Sequence, residues 1–290
     1  MIGNSDKNLY SELTLFYIQN GHPKTDVYIP KPKNMIRYLP LLLVLLLAAG
    51  NLSAQERITD ETEARAVFDE VEERRSSIDT EFSILEMIIT DSRGRTRTRV
   101  MQSWTRNTDT NTDNLIIFSE PATVRGTGFL SVNENGNETQ RLYLPSIGRI
   151  QVIGSSERGD QFMGSDFTYE DLGDQDPDDY EFQWLETDDI HHTVRATKPD
   201  SDQYSFVEFE IRKDTYALET VLYYNESEEL IKRLEAENFE QITDVLWSPR
   251  KMTMFDLREG RKTELTWQER EINTEIPDWR FTVRGLRRGI

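Results

Sequence analysis

The chain has 290 residues, with 34 Lys+Arg against 53 Asp+Glu, a formal net charge of −19, 10% aromatics and no cysteine. That balance excludes a nucleic-acid binder, because a phosphate backbone demands a basic footprint. The missing cysteines exclude disulfides, thiolate catalysis and cysteine zinc sites together.

Residues 1–34 are polar and carry Pro23, Pro30 and Pro32; they read as an extension produced by a start called too early, with Met35 the true start. "MIRYLPLLLVLLLAAGNLSA" (35–54) has a basic start at Arg37, an apolar run and a small-residue exit at Ser53 and Ala54. This tripartite pattern predicts a secretory signal peptide cleaved after Ala54, and the apolar run is short for a membrane span. No cysteine stands at the cleavage point, so the product is expected free in a periplasm and not lipidated.

From residue 55 onward no linker or composition break is visible, which predicts one domain over 55–290. In "TDETEARAVFDEVEERRSS" (59–77), Ala64, Val67, Phe68 and Val71 recur at helical spacing, with Thr59 or Asp60 as cap. After Ser77 the period falls to two. Strand-like runs follow at 81–90, 95–105, 114–119, 128–134, 139–145, 149–154, 180–186, 191–198, 203–213, 218–225, 230–242, 251–259 and 262–272. "DSRG" (91–94), "NENGNE" (133–138) and "REGRK" (258–262) read as turns between them. Eleven to thirteen mostly antiparallel strands with a single helix exceed what one flat layer holds, so the sheet must curl around something. The opening helix, residues 155–175 and "IPDWRFTVRGL" (276–286) are the candidates to fill its concave face.

Within the second strand-like run Arg95, Arg97 and Arg99 share one face, opposite Val100 and Trp104. The expectation is that the arginines face solvent, available to a partner or to anionic headgroups, and that Val100 and Trp104 face the cavity. His191 and His192 are adjacent on a strand and point to opposite faces, which argues against a shared metal. No Gly-x-Ser-x-Gly elbow or phosphate loop is present.

"GDQFMGSDFTYEDL" (159–172) is the densest stretch: Phe162, Met163, Phe167 and Tyr169 alternate with Asp160, Asp166, Glu170 and Asp171. The acids lack the spacing of a calcium loop. The large apolar groups demand burial, worth about 1.5–3 kcal/mol each. Either they fill the core or they form a flap over the mouth of an apolar cavity, with the acids kept in water or bonding the loop's own amides; the residues alone leave both open.

"EPATVRGTGFLS" (120–131), "LYLPSIGRIQVI" (142–153), "GDQFMGSDFTYEDL" and the run from Met252 to Gly289 together resemble the outer membrane lipoprotein-sorting-protein family, part of the LolA/LolB-like carrier superfamily. The likeness covers residues 60–289. It implies a mainly β fold, a single antiparallel sheet curled into an unclosed half-barrel around an apolar cavity plugged by helices. It also implies a non-enzymatic carrier of the acyl chains of a lipid or lipoprotein, without cofactor or metal, associated with an exporter of the resistance–nodulation–division type. A monomer is expected. An envelope-stress sensor or exporter subunit and a carboxylate-dependent hydrolase stand as the alternatives.

Overall fold

The computed structural model describes residues 61–108, 111–134, 137–173, 177–199 and 203–290. The early extension, the signal peptide and the Thr59/Asp60 cap lie outside the described residues. By contacts the chain divides into Met1–Ser53 and Ala54–Ile290, and all described elements belong to the second unit.

Helix α1 (61–75) buries Ala64 and Val67, as the spacing dictates. Its Phe68 ring lies 4.6 Å from Phe182 and 4.8 Å from Phe209. Ion pairs Arg65–Asp69 and Arg74–Glu70, one turn apart, dress its other side.

Thirteen strands follow. The first six are β1 (Thr80–Thr90), β2 (Thr96–Asn107), β3 (Thr112–Glu120), β4 (Gly128–Glu134), β5 (Asn137–Leu144) and β6 (Arg149–Ile153). The other seven are β7 (Glu181–Thr187), β8 (His191–Thr197), β9 (Phe206–Arg212), β10 (Leu218–Tyr224), β11 (Leu230–Gln241), β12 (Trp247–Asp256) and β13 (Arg261–Ile272). A second, short helix, α2 (Val283–Arg288), follows them, one more than the sequence suggests. Tight turns fix the hairpins: Asp91 Oδ1 accepts the amides of Arg93 and Arg95, and Asp256 Oδ1 those of Arg258 and Glu259.

All strands join one antiparallel sheet in the order β6-β5-β4-β3-β2-β1-β13-β12-β11-β10-β9-β8-β7. Every pair of consecutive strands is also a pair of spatial neighbours except β6 and β7, and one pairing joins strands far apart in sequence. The first and last strands pair at the centre, ten residues of β1 against β13. The two edges, β6 and β7, are joined only by the connection 154–180. A chain running from one edge to the other has to cross a face of the sheet.

That crossing bends the sheet. The Tyr169 carbonyl accepts a hydrogen bond from Gln140 Nε2 of β5 at 3.0 Å, while two residues on, Asp171 lies 3.5 Å from Lys232 Nζ of β11. On a flat sheet those strands would be seven spacings apart, about 34 Å at ~4.8 Å each. Only a curled sheet lets one tripeptide reach both. Register shifts between β1 and β13, β2 and β3, and β9, β10 and β11 supply local bends. The result is a half-barrel that does not close.

Both faces are covered. The concave core joins Met87, Ile89, Met101, Phe118, Phe129 and Met254 to Phe162, Phe167 and Tyr169 of the crossing segment. α1 covers Phe182, Val194 and Ala196 near the β7 edge. On the convex face Trp104, Leu115, Ile117 and Leu130 pack beneath Phe281 and Leu286. Residues 276–286 therefore do not fill the concave side as expected; they cover the outer one.

The same packing corrects the reading of β2. Its alternation is as predicted, but the faces are exchanged. Arg99 stands opposite Met87 of the concave core and is buried, whereas Trp104 stands opposite Phe82 and Leu115 on the convex side. Val100, half-buried opposite Glu86, shares the convex side with Trp104. Period two assigns residues to two groups without saying which group is inside, and apolarity does not decide when both faces are covered.

Candidate functional site

The site is built on the crossing segment. Between Phe162 and Ser165 the backbone makes a turn whose two central residues, Met163 (φ 52°) and Gly164 (φ 73°), are left-handed, closed by Ser165 N–H donating to the Phe162 carbonyl at 2.9 Å. This is the hairpin turn of type I′, for which glycine at the second central position carries no steric penalty. Below it the Phe162 amide donates to the Phe167 carbonyl at 2.8 Å, and Gln161 bridges Thr168. A small antiparallel loop results, which drives Phe162 into the concave core. There its ring centroid lies 5.8 Å from Phe118, 5.5 Å from Phe129 and 5.7 Å from Tyr169. Phe162, Phe167 and Tyr169 are buried and Met163 is half-buried against the same core. Of the two readings the sequence left open, core filling describes this state.

Polar pins from four strands hold the loop in place. Arg99 Nη1 of β2 donates to the Met163 carbonyl at 2.7 Å, its guanidinium 5.6 Å from the Phe118 ring. From β13, Thr263 Oγ1 donates to Asp166 Oδ2 at 2.6 Å and accepts from the Asp166 amide at 2.9 Å. Arg261 Nη2 sits 2.9 Å from Asp166 Oδ1, an ion pair that lacks hydrogen-bond alignment. On β11, Lys232 faces Asp171 and donates to the Tyr204 hydroxyl at 3.0 Å. Gln140 of β5 donates to the Tyr169 carbonyl.

The acids therefore split, against the expectation that all four stay in water or bond the loop's own amides. Asp160 is exposed and Glu170 half-buried. Asp171 does bond its own loop, accepting the Thr168 amide at 2.7 Å, but also looks onto Lys232. Asp166 is buried. Burial pushes the Asp166 carboxyl above the ordinary range despite the Thr263 hydroxyl and the Arg261 charge. Burial also raises Glu170, against a lowering by Lys198. Burial raises the phenols of Tyr204 and Tyr223 in the same way, with the Asp171 charge adding to it.

Of the predicted arginines, only Arg99 reaches this loop. Arg95 is exposed and paired with Asp91 at 2.6 Å; Arg97 is exposed. Arg261, Thr263, Lys232, Tyr204 and Gln140 went unnoticed in the sequence. Thr263 lies 97 residues from the Asp166 it meets and Gln140 29 from Tyr169, and only the need of buried carboxylates for cations hinted at such partners.

Other chemistry finds no assembled centre. Among the described residues no group of three or more His, Cys, Asp or Glu converges as metal ligands. His191 Nε2 meets Glu219 at 3.0 Å, while His192 turns to Trp184 and Tyr216. No helix among the described residues is long and apolar enough to cross a membrane.

An antiparallel half-barrel whose inner face is filled by a crossing loop and a helix is the LolA-like lipoprotein-sorting fold, and this chain has it. A family profile described as "-like: Uncharacterized protein" matches residues 110–288, more than half of the chain, and the chain belongs to that family. Among solved structures it is similar to a domain from Vibrio parahaemolyticus named as an outer membrane lipoprotein-sorting protein domain: 26% identity, TM-score 0.74, over 78% of this chain and 99% of that one. A DUF1329 family protein from Desulfovibrio piger is 24% identical with TM-score 0.69, over 77% and 98%. A LolA superfamily protein from Nitrosomonas europaea is 19% identical with TM-score 0.61, over 76% and 97%. No curated protein matches the chain.

Proposed function

We propose that the chain is a periplasmic carrier whose concave face takes the acyl chains of a lipid or lipoprotein in place of Phe162, Phe167 and Tyr169, and moves that cargo between envelope membranes. The observation that carries this reading is that the apolar inner face is filled by a connection rather than by a strand. A connection between two edges can swing out while all strand pairings of the sheet stay intact. The crossing loop then acts as a plug, and the apolar cavity is what its displacement leaves.

Magnitudes set a condition on the cargo. Exposing three aromatic side chains costs about 5–9 kcal/mol at 1.5–3 kcal/mol each, before the polar pins are counted. An acyl chain gains ~0.8 kcal/mol per buried CH₂, so only chains beyond about ten carbons displace the plug. A sixteen-carbon fluorescent fatty acid should bind, and an eight-carbon one should not.

The cysteine-free chain offers a direct lock. In D166C/T263C a disulfide would replace the contact between plug and β13. The oxidised form should lose the sixteen-carbon probe and regain it on reduction. Equal binding by the oxidised and reduced forms would falsify displacement of the plug.

The remaining parts of the reading rest on the sequence and on what its family resemblance implies. The leader 35–54 exports residues 55–290 as one domain, a monomer, to meet an inner-membrane exporter of the resistance–nodulation–division type. Arg95 and Arg97, exposed near one end of the half-barrel, would receive the anionic headgroup of the cargo.

A further inference from the structure

The charge of this chain is not evenly spread. Against its net charge of −19, residues 279–290, "WRFTVRGLRRGI", hold four arginines and no acidic side chain. α2 explains how they are displayed. Gly285 and Leu286 are buried on the convex face of the sheet, while Arg284, Arg287 and Arg288, spaced i, i+3 and i+4, are exposed on the opposite side. The three arginines and Val283 line one shallow depression of the surface.

These arginines are free to meet a ligand. Among the described residues none of Arg284, Arg287 and Arg288 has a carboxylate partner, although most other arginines of the chain do. Arg288 stacks instead on Trp279, 4.6 Å from the ring centroid, with Arg280 at 4.8 Å to the same ring. Exposed apolar groups stand beside them: Val283 is 38% and Ile290 57% accessible, two of the few large exposed hydrophobics. The display is also rigid. A Cβ on Gly285 would lie 2.1 Å from the Arg280 carbonyl oxygen, so the helix is seated on the preceding turn as closely as glycine permits.

Basic side chains, a tryptophan and exposed aliphatics on one short segment match a bilayer interface. Guanidiniums pair with headgroup phosphates, while the aromatic and aliphatic groups enter the headgroup boundary. We propose that the C-terminal segment, Trp279–Ile290, docks the protein on an anionic bilayer. The net acidic remainder of the molecule is repelled by the same surface, which keeps the docking reversible and salt-sensitive. The proposal goes beyond the carrier reading and does not need it: bilayer docking and acyl-chain uptake use opposite faces of the sheet.

The test is co-sedimentation of residues 55–290, the chain without its apolar leader, with phosphatidylethanolamine–phosphatidylglycerol vesicles and with pure phosphatidylcholine vesicles. Binding is expected to the anionic vesicles at low salt, to fall as salt rises, and to be weak on the neutral ones. Each arginine near an anionic surface is worth about fivefold in affinity, so R284E/R287E/R288E should lose at least about 100-fold. R75E/R149E/R258E, the same charge change at exposed positions elsewhere, should bind like the parent. The Arg→Gln triple at 284, 287 and 288 serves if the Glu triple melts early, and should lose affinity as well. Acyl-probe binding should be equal in the parent and both triples, which separates failure of docking from failure of the carrier reading. Equal binding to both vesicle types, equal loss in both Glu triples, or no vesicle binding by the parent, with the patch capturing an acidic protein instead, overturns the proposal.

Discussion

Two segments outside the sheet lay aromatic and aliphatic side chains on it, one on each face, and they do so differently. The plug brings Phe162, Phe167 and Tyr169 into the concave core together with the carbonyls of Met163 and Tyr169 and the carboxylate of Asp166, each of these met by a polar group from a distant strand. The C-terminal segment brings Phe281 and Leu286 to the convex face, lays Arg280 over Trp104 at 4.2 Å and leaves Arg284, Arg287 and Arg288 outside. Buried polar groups gain little net stability when satisfied and cost much when one partner is lost. The plug is therefore conditional on its pins, whereas the convex cover rests mainly on apolar burial, with Arg280 stacked on Trp104 and the Arg106–Asp278 ion pair at its margin. A segment that must leave and return is better made the first way.

The largest expected effect separates the two faces. Phe162→Ala and Leu286→Ala each remove a fully buried side chain and should cost about 3–5 and 2–5 kcal/mol respectively in denaturant unfolding. They should part in ligand binding. Phe162→Ala weakens the plug and should tighten binding of the sixteen-carbon probe, while Leu286→Ala should leave it unchanged. Equal effects of the two variants on the probe would show that the faces are not functionally distinct.

A smaller effect is expected at the pin itself. Thr263→Val is nearly isosteric but withdraws the hydroxyl that both donates to and accepts from Asp166. Leaving that buried carboxylate with the misaligned Arg261 alone should cost about 1–3 kcal/mol. Amide exchange of residues 162–169 should rise well before that of β13. Uniform loss of protection across the sheet would mean the loop is an inseparable part of the core.

The smallest effect is that of pH. Burial raises Asp166 and Glu170 above their ordinary values of 3.8 and 4.5. A carboxyl raised in the folded state contributes stability that is fully present below the ordinary value and is lost as pH rises through the folded one. The plug should thus sit most firmly in acid and loosen toward neutrality. Probe affinity should rise over that interval, and Asp166→Asn, which cannot ionise, should flatten the rise. A flat profile in the parent would remove these two groups from the control of the plug.

The strands, the opening helix and the inward demand of Phe162, Phe167 and Tyr169 were legible from local pattern, because period and side-chain area are properties of neighbouring residues. Trp104, Arg99 and Asp166 were not. Their alternation and polarity could be read, but the face each occupies depends on the β1–β13 pairing and the crossing of 154–180. Those two long-range facts curl the sheet, cover both of its sides and bring Arg261, Thr263 and Lys232 to a loop far away in sequence. Sequence by itself determined which residues must be buried and roughly how many strands would bury them. Which face buries them, and which distant cations then meet the plug's carboxylates, was decided by the tertiary structure, since pairing between strands is settled by contacts that no local window contains.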